Sequence, residues 1–246
     1  MQFSFGSGIL WGVRTDVVPN QPVRFGALQD VQIDFSADVK QLYGQMQLPL
    51  DVARGKQKIE GKAKVGAISA AAYNTLFFGG TITKGQNQVS YSEPMMVPAA
   101  SPYTATVQNA ATFVQDLGLR YASTGAPLIV VTGTPTAAGQ YSCINGVYTF
   151  DAADEGMALL ADYEYTSATL GQTITGGNPL MGAAPRFGAT FTNMYEGNSL
   201  TLTLYSCVST KLSIPTKIDD YTITELDFSA YANAAGQTFQ LSTTQS

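Results

Sequence analysis

From Val31 to Lys40 the chain alternates without a break. Val31, Ile33, Phe35, Ala37 and Val39 fall on one side of an extended backbone, and Gln32, Asp34, Ser36, Asp38 and Lys40 on the other. Successive side chains of a strand point to opposite faces, so a period of two held over ten residues specifies a half-buried β-strand. Ile59, Gly61, Ala63 and Val65 alternate in the same way with Lys58, Glu60, Lys62 and Lys64. Two Asp on the polar face of the first strand and three Lys on that of the second predict an antiparallel pair with opposite charges across from each other. The C-terminal third repeats the pattern in Phe187-Ala189-Phe191, Leu200-Leu202-Leu204 and Thr224-Leu226-Phe228-Ala230, with a last short strand at Thr238 to Ser242.

Between the first two strands lies a stretch from Gln41 to Gly55 that does not alternate cleanly. Hairpin connections usually need two to five residues, so this reads as a long loop. It carries Leu42, Tyr43, Met46, Leu48, Leu50, Val52 and Arg54. Left in water, those apolar side chains form the kind of patch that marks an interaction site. Either the loop folds back over its own domain, or it is buried against a neighbouring subunit.

One helix is expected near residues 68–78. Ser69 is the N-cap, an alanine run follows, and Gly79-Gly80 is the stop; Ile68, Ala72 and Leu76 form one stripe, with Tyr73 and Phe77 beside it. The stripe suits a helix that caps the open end or face of a sandwich. From about residue 81 to 165 the texture changes, with Pro94, Pro98, Pro102, Pro127 and Pro135 separating short strands near Thr104–Val107, Phe113–Tyr121 and Leu128–Thr132. Asn145-Gly146 between two apolar runs predicts a tight hairpin turn, and another strand is expected from Leu159 to Thr166. The fold class is therefore all-β, a β-sandwich or barrel with one flanking α-helix. Residues 1–84 and 166–246 form the body, and residues 85–165 an additional, inserted β-rich module.

The chain of 246 residues has no histidine. Ser-His-Asp and Cys-His triads, His-based zinc sites and His proton shuttles are thereby excluded. Cys143 and Cys207 lie far apart in strand-like stretches, where a free cysteine is a small buried hydrophobe; neither metal-ligand spacing nor a disulfide framework is present. Gly6-Ser7-Gly8 lacks the third glycine and the helix of a phosphate-binding loop. Asp151, Asp154 and Glu155 before Gly156 faintly suggest a calcium loop, but Ala153 stands where an oxygen ligand is needed, and a turn or short helical cap is the simpler reading. Asp219-Asp220 reads as a solvated turn. A carboxylate pair of the glycosidase type is compatible with the sequence, although Trp11 is the single tryptophan available to stack on a sugar. No cofactor, no metal and no enzymatic activity are expected.

Charged residues make up 13% of the chain, about half the usual share, and the net charge of −5 disfavours binding to nucleic-acid phosphates. A weakly charged surface rich in Thr, Ser, Gln and Asn suits broad protein–protein contact. Met1-Gln2-Phe3-Ser4-Phe5-Gly6 has neither the basic region nor the apolar run of a signal peptide, and the longest apolar cluster, Pro127 to Val131, is too short to span a bilayer. Folding in a reducing cytoplasm without a membrane route is expected.

The order of these features resembles bacteriophage tail tube proteins: an alternating strand, an apolar-studded loop, a second strand, an alanine-rich helix and a C-terminal run of strands. The residues carrying the resemblance are Phe25 to Gly79 and Arg186 to Ser242. Their most specific stretch is Leu212-Ser213-Ile214-Pro215-Thr216-Lys217-Ile218-Asp219-Asp220-Tyr221-Thr222-Ile223, followed by Glu225-Leu226-Asp227-Phe228 and closing on Asp-Phe-Ser-Ala-Tyr-Ala-Asn. The central Gly139-Gln140-Tyr141-Ser142 and Gly146-Val147-Tyr148-Thr149-Phe150 are similar to a module of phage structural proteins. The resemblance implies a virion protein, made in the host cytoplasm, that forms six-membered rings stacked into a tube together with other tail proteins. It also implies a continuous inner β-barrel through which DNA passes without specific binding. Gln32, Asp34, Ser36, Lys58, Glu60 and Lys62 would then line the lumen, and the loop from Gln41 to Gly55 would reach a neighbouring subunit. The alternatives are another virion part, such as a capsid decoration or baseplate protein, or a carbohydrate-binding module.

Overall fold

The computed structural model describes residues 4–20, 22–67 and 69–244. In chain order the strands are β1 (Ile9–Arg14), β2 (Pro22–Arg24), β3 (Leu28–Tyr43), β4 (Pro49–Val65), β5 (Thr81–Met96), β6 (Thr104–Thr106), β7 (Phe113–Tyr121), β8 (Ile129–Val130), β9 (Gln140–Ile144), β10 (Val147–Phe150), β11 (Ala158–Thr175), β12 (Arg186–Tyr195), β13 (Asn198–Ser213), β14 (Thr224–Ala230) and β15 (Phe239–Thr243). The fold is all-β, and among the described residues one short α-helical segment accompanies the strands. No helix among the described residues is long and apolar enough to cross a membrane. Two compact units are present, residues 1–82 with 174–246 and residues 83–173. The division falls inside the long strands β5 and β11; the sequence-based limits at 85 and 165 lie within those same strands.

The first unit is built on one hydrogen-bonded sheet in the order β2-β1-β12-β13-β14-β4-β3, with β15 also paired to β13. Among the described residues its strands do not close into a barrel, because β2 and β3 are the two ends of that path. Leu10, Ala63, Val65, Phe187, Leu204, Leu226 and Phe228 form the buried core, with Val31, Ile33 and Ile59 packed against it. Apart from Leu10, these are alternating positions that the sequence assigns to the buried face.

The helical segment closes this core. Ser69 caps α1 (Ala70–Tyr73) by accepting from the Ala72 amide at 3.3 Å. Beyond Tyr73 the expected α-helix gives way to a π-turn over Asn74–Phe78. There the Gly79 amide donates back to the Asn74 carbonyl at 2.7 Å, and Gly79 adopts a left-handed φ of 63°. The widened turn lets Leu76 enter the core against Gly12, while the Asn74 side chain bonds both the amide and the carbonyl of Gly80 at 2.8 Å. Tyr73 donates to Thr224 on β14 at 2.8 Å. Ile68, placed on the helical stripe by its spacing, lies outside the described residues.

The second unit holds a three-stranded sheet, β5-β11-β7, and a four-stranded one, β6-β10-β9-β8. Pro94 sits in β5 without breaking it because β5 is an edge strand, where a missing amide costs no ladder bond. Asn145 and Gly146 both take positive φ, 50° and 77°, in the tight turn between β9 and β10. The core is rich in tyrosine, and each buried hydroxyl has a carboxylate. Tyr141 and Tyr148 donate to Asp116 at 2.5 and 2.8 Å, Tyr163 to Glu93 at 2.5 Å, and Tyr121 to Asp154 at 3.0 Å. Burial, and after it the Asp116 carboxylate, pushes the Tyr141 and Tyr148 hydroxyls up from their ordinary value, so both stay donors into the alkaline range. Asp151 caps a 3-10 turn over Ala152–Asp154. The Asp154 carboxylate is occupied by Tyr121 and by the Gly139 amide at 2.8 Å.

Gly61 on β4 lies under the Phe228 ring, and a Cβ there would collide with it. Its backbone is ordinary, so the constraint is one of space. Gly61→Ala is expected to cost roughly 1–3 kcal/mol by overpacking, lowering the melting temperature of the first unit by several degrees. Phe228→Leu in the same chain should recover part of that loss. Equal melting of Gly61→Ala and the parent would remove the packing argument.

Candidate assembly surface

The segment from Gln41 to Gly55 is not the long loop that its sequence suggests. β3 runs to Tyr43 and β4 starts at Pro49, so the connection is only residues 44–48. The pairs Val39–Arg54, Lys40–Ala53, Gln41–Val52 and Leu42–Asp51 continue the ladder almost to the turn. β14 pairs with β4 from Ile59 to Val65 and no further. The outer halves of β3 and β4 therefore leave the sheet as a two-stranded ribbon. A half-buried strand alternates because one face is dry; a ribbon wet on both faces needs no alternation, which is why its sequence looks like a loop.

The ribbon is apolar and uncovered. Met46, Leu48 and Leu50 at its tip are 77%, 79% and 70% exposed, and Leu42, Tyr43 and Val52 are exposed along its arms. The fold-back reading is not what the chain adopts. Along β3 the core-facing stripe of Val31, Ile33 and Phe35 runs on to Val39, where no core lies beneath it. Leu42 falls on the opposite face, so both faces of the ribbon carry apolar groups. Arg54 sits opposite Val39 and borders a groove of about 380 Å³ at the base of the ribbon. In that groove Phe35 and Phe239 of β15 meet edge to face, with centroids 5.0 Å apart. This contact between the two ends of the alternating pattern is not visible in either segment by itself. β3 is also the outermost strand of its sheet, so one side of its backbone presents unpaired amides and carbonyls, the usual template for a further strand.

The structure brings all six polar candidates onto one face as three directly opposed pairs, Gln32–Lys62, Asp34–Glu60 and Ser36–Lys58. The face turned the other way is the core, so these side chains necessarily point away from it. The expected alternation of opposite charges is only partly realised. Asp34 faces the like-charged Glu60, and Asp38 falls at the irregular step between the Ala37 and Val39 pairs. Lys64 reaches Asp30 at 3.4 Å, and Lys62 turns to Glu225 on β14 at 2.7 Å. The bonds from Lys62 and Lys211 hold the Glu225 carboxyl below its ordinary range. Their contribution is thus present above the usual glutamate pKa and lost as the pH falls through the lowered one. Gln32 donates to Asp34 at 3.0 Å. Gln32, Asp34, Glu60 and Lys62 border a groove of about 360 Å³ that also takes in Asp227, whose Oδ1 is buried without a hydrogen-bond partner, whereas Ser36 and Lys58 border the groove at the base of the ribbon. Among the described residues no three His, Cys, Asp or Glu side chains are grouped to hold a metal ion.

No protein-family model matches this chain, and no curated protein matches it.

The Asp34–Glu60 pair yields a test of the register. Opposed like charges destabilise a sheet, and such cross-strand pairs differ by roughly 0.2–1 kcal/mol. Glu60→Gln should therefore raise the melting temperature slightly, more at low than at high salt because exposed charges are screened. A lowered melting temperature would show that Glu60 has a favourable partner and that this register is wrong.

Proposed function

We propose that this chain is a structural subunit that assembles with copies of itself, forming the stacked rings of a phage tail tube. One observation carries the reading: the β3–β4 ribbon leaves the sheet with apolar side chains exposed on both faces, uncovered among the described residues. A two-stranded ribbon is marginal in water without a hydrophobic partner, and large uncovered apolar patches are unusual on solitary proteins. The open backbone edge of β3 adds to this, since a barrel shared among subunits removes such edges.

In the assembly the ribbon docks on a neighbour, and the face bearing Gln32, Asp34, Ser36, Lys58, Glu60 and Lys62 turns to the channel. Two acids and two lysines leave those six residues with no net charge, which suits a surface past which DNA slides without being gripped.

Electron microscopy and sedimentation of the purified protein test assembly directly, with six-fold rings or tubes at high concentration as the expected result. The ribbon is tested by Leu48→Asp combined with Leu50→Asp. In the free subunit these positions are exposed, and surface changes of this kind stay within about 0.5 kcal/mol. In a closed contact each unpaired carboxylate costs several kcal/mol, on the order of 3 or more. Subunit melting should be unchanged while tubes disappear. A monomer that melts much earlier would show that the ribbon packs on its own body, and tubes formed by the double mutant would place the joint elsewhere.

A further inference from the structure

In the three-stranded sheet of the second unit, Leu119, Ala161 and Tyr163 point into the core. Arg120 and Asp162, next to them in sequence, therefore fall on the outer face. There Ser92 takes a left-handed φ of 59°, a costly conformation for a residue with a Cβ. A brace of side chains holds it. The Ser92 amide donates to Asp162 at 2.6 Å, Asp162 is ion-paired with Arg120, and the Arg120 guanidinium donates to the Ser92 hydroxyl. What the brace presents is Tyr91. Its ring lies over the Arg120 guanidinium at 5.1 Å, and the residue is 78% exposed. Backbone strain of this kind collects at binding sites, and here its product is a wet aromatic ring in a fixed orientation. Asn87 lies four residues away along β5, about 13 Å at roughly 3.3 Å per residue, and donates to Glu164 at 2.7 Å. Asn87 also lines a groove of about 300 Å³ with Thr83, Gln86, Thr166, Ser167 and Thr173, and Lys84 beside them.

We infer that this face binds a neutral glycan, with one sugar ring stacked on Tyr91 and the chain laid along β5 into the groove. A pyranose has an apolar face of C–H groups and a rim of hydroxyls. It needs a ring to lie on and partners that both donate and accept. Tyr91 supplies the first. The Asn87 and Gln86 amides, the Glu164 carboxylate and the hydroxyls of Thr166, Ser167 and Thr173 supply the second. Charge and backbone disfavour other occupants. Residues 83–173 carry Lys84 and Arg120 against seven acids, a net −5, so an anionic polymer is repelled. A further strand is opposed at both edges of the sheet. β5 carries Pro94 and the kink at Ser92, and β7 is interrupted by two register shifts against β11. The inference uses residues of the second unit alone and does not depend on the assembly reading.

The test is affinity electrophoresis of the full chain in native gels cast with dextran, glucomannan, galactomannan or mixed-linkage β-glucan, and with alginate as the anionic control. Retardation by at least one of the neutral polymers and none by alginate is expected. Tyr91→Ala should weaken the interaction by about tenfold or more, the scale of one lost ring contact, whereas Tyr91→Phe, which keeps the ring, should bind like the parent. Asn87→Leu, at the position shared by the platform and the groove, should weaken binding as well. Tyr91 and Asn87 are both exposed, so these variants should melt with the parent, and lost binding is then separated from lost fold. Retardation by none of the neutral polymers overturns the proposal, and so does a Tyr91→Ala chain that is retarded as strongly as the parent. Binding confined to alginate, or to an oligolysine peptide run in the same gels, would make charge and not the ring the determinant, and would overturn it too.

Discussion

The pairing of β3 with β4 is the constraint on which the rest of the first unit depends. These two strands are long enough to do two different things along one ladder. Over Ile59–Val65 the pair is held between β14 and the core, and the Gly61–Phe228 contact fixes how closely β14 lies against it. Beyond that point the same hydrogen-bonded ladder continues with water on both faces. The inner half supplies rigidity through burial, and the outer half inherits its direction. A shift of one residue in the inner register would carry Val31 and Ile33 from the dry face to the wet one and rotate the ribbon with them.

The parts of this arrangement that sequence reveals are those in which one face is dry. Val31 to Val39, Ile59 to Val65 and the strands of the C-terminal third alternate because burial selects every second residue. The outer ribbon escapes such reading for the same reason, since Leu42, Leu48 and Val52 answer to no core of their own chain. β5 was hidden by Pro94 and Gly85, which are tolerated at a sheet edge but look like breaks in isolation. The π-turn at Asn74–Phe78 depends on the side-chain bridge from Asn74 to Gly80, a pairing that helical periodicity does not announce. Of the candidate site, the six polar residues were legible as one face. The meeting of Asp34 with Glu60 was not, because opposition across strands depends on register and bulges, while sequence supplies only the alternation.

The second unit follows a different economy of packing. Its core is filled by aromatic rings carrying hydroxyls, and it stays dry only because Asp116, Glu93 and Asp154 are placed to receive them. A buried hydroxyl without a partner is costly, whereas a tyrosine with a carboxylate acceptor contributes both apolar area and a charge-assisted bond. Such a core specifies one arrangement more sharply than aliphatic packing does, because each ring must reach its own acceptor. Arg120 extends the scheme to the surface, ion-paired with Asp162 and lying over the exposed Tyr91 ring at 5.1 Å.

The ribbon's thinness also bears on timing. With two strands and no covered face, its local stability is close to zero, so it opens far more readily than the sheet that carries it. In a free subunit its amides would exchange with solvent almost as fast as those of an unfolded chain. Under the proposed assembly, the entropy of ordering it would be deferred until a second surface arrives, making the first encounter the unfavourable one and every later encounter, on an end already ordered, easier. A chain made this way would stay dispersed below a threshold concentration and elongate quickly once a template exists. If the proposed assembly holds, that kinetic profile would keep the subunit from polymerising before its place of assembly is ready.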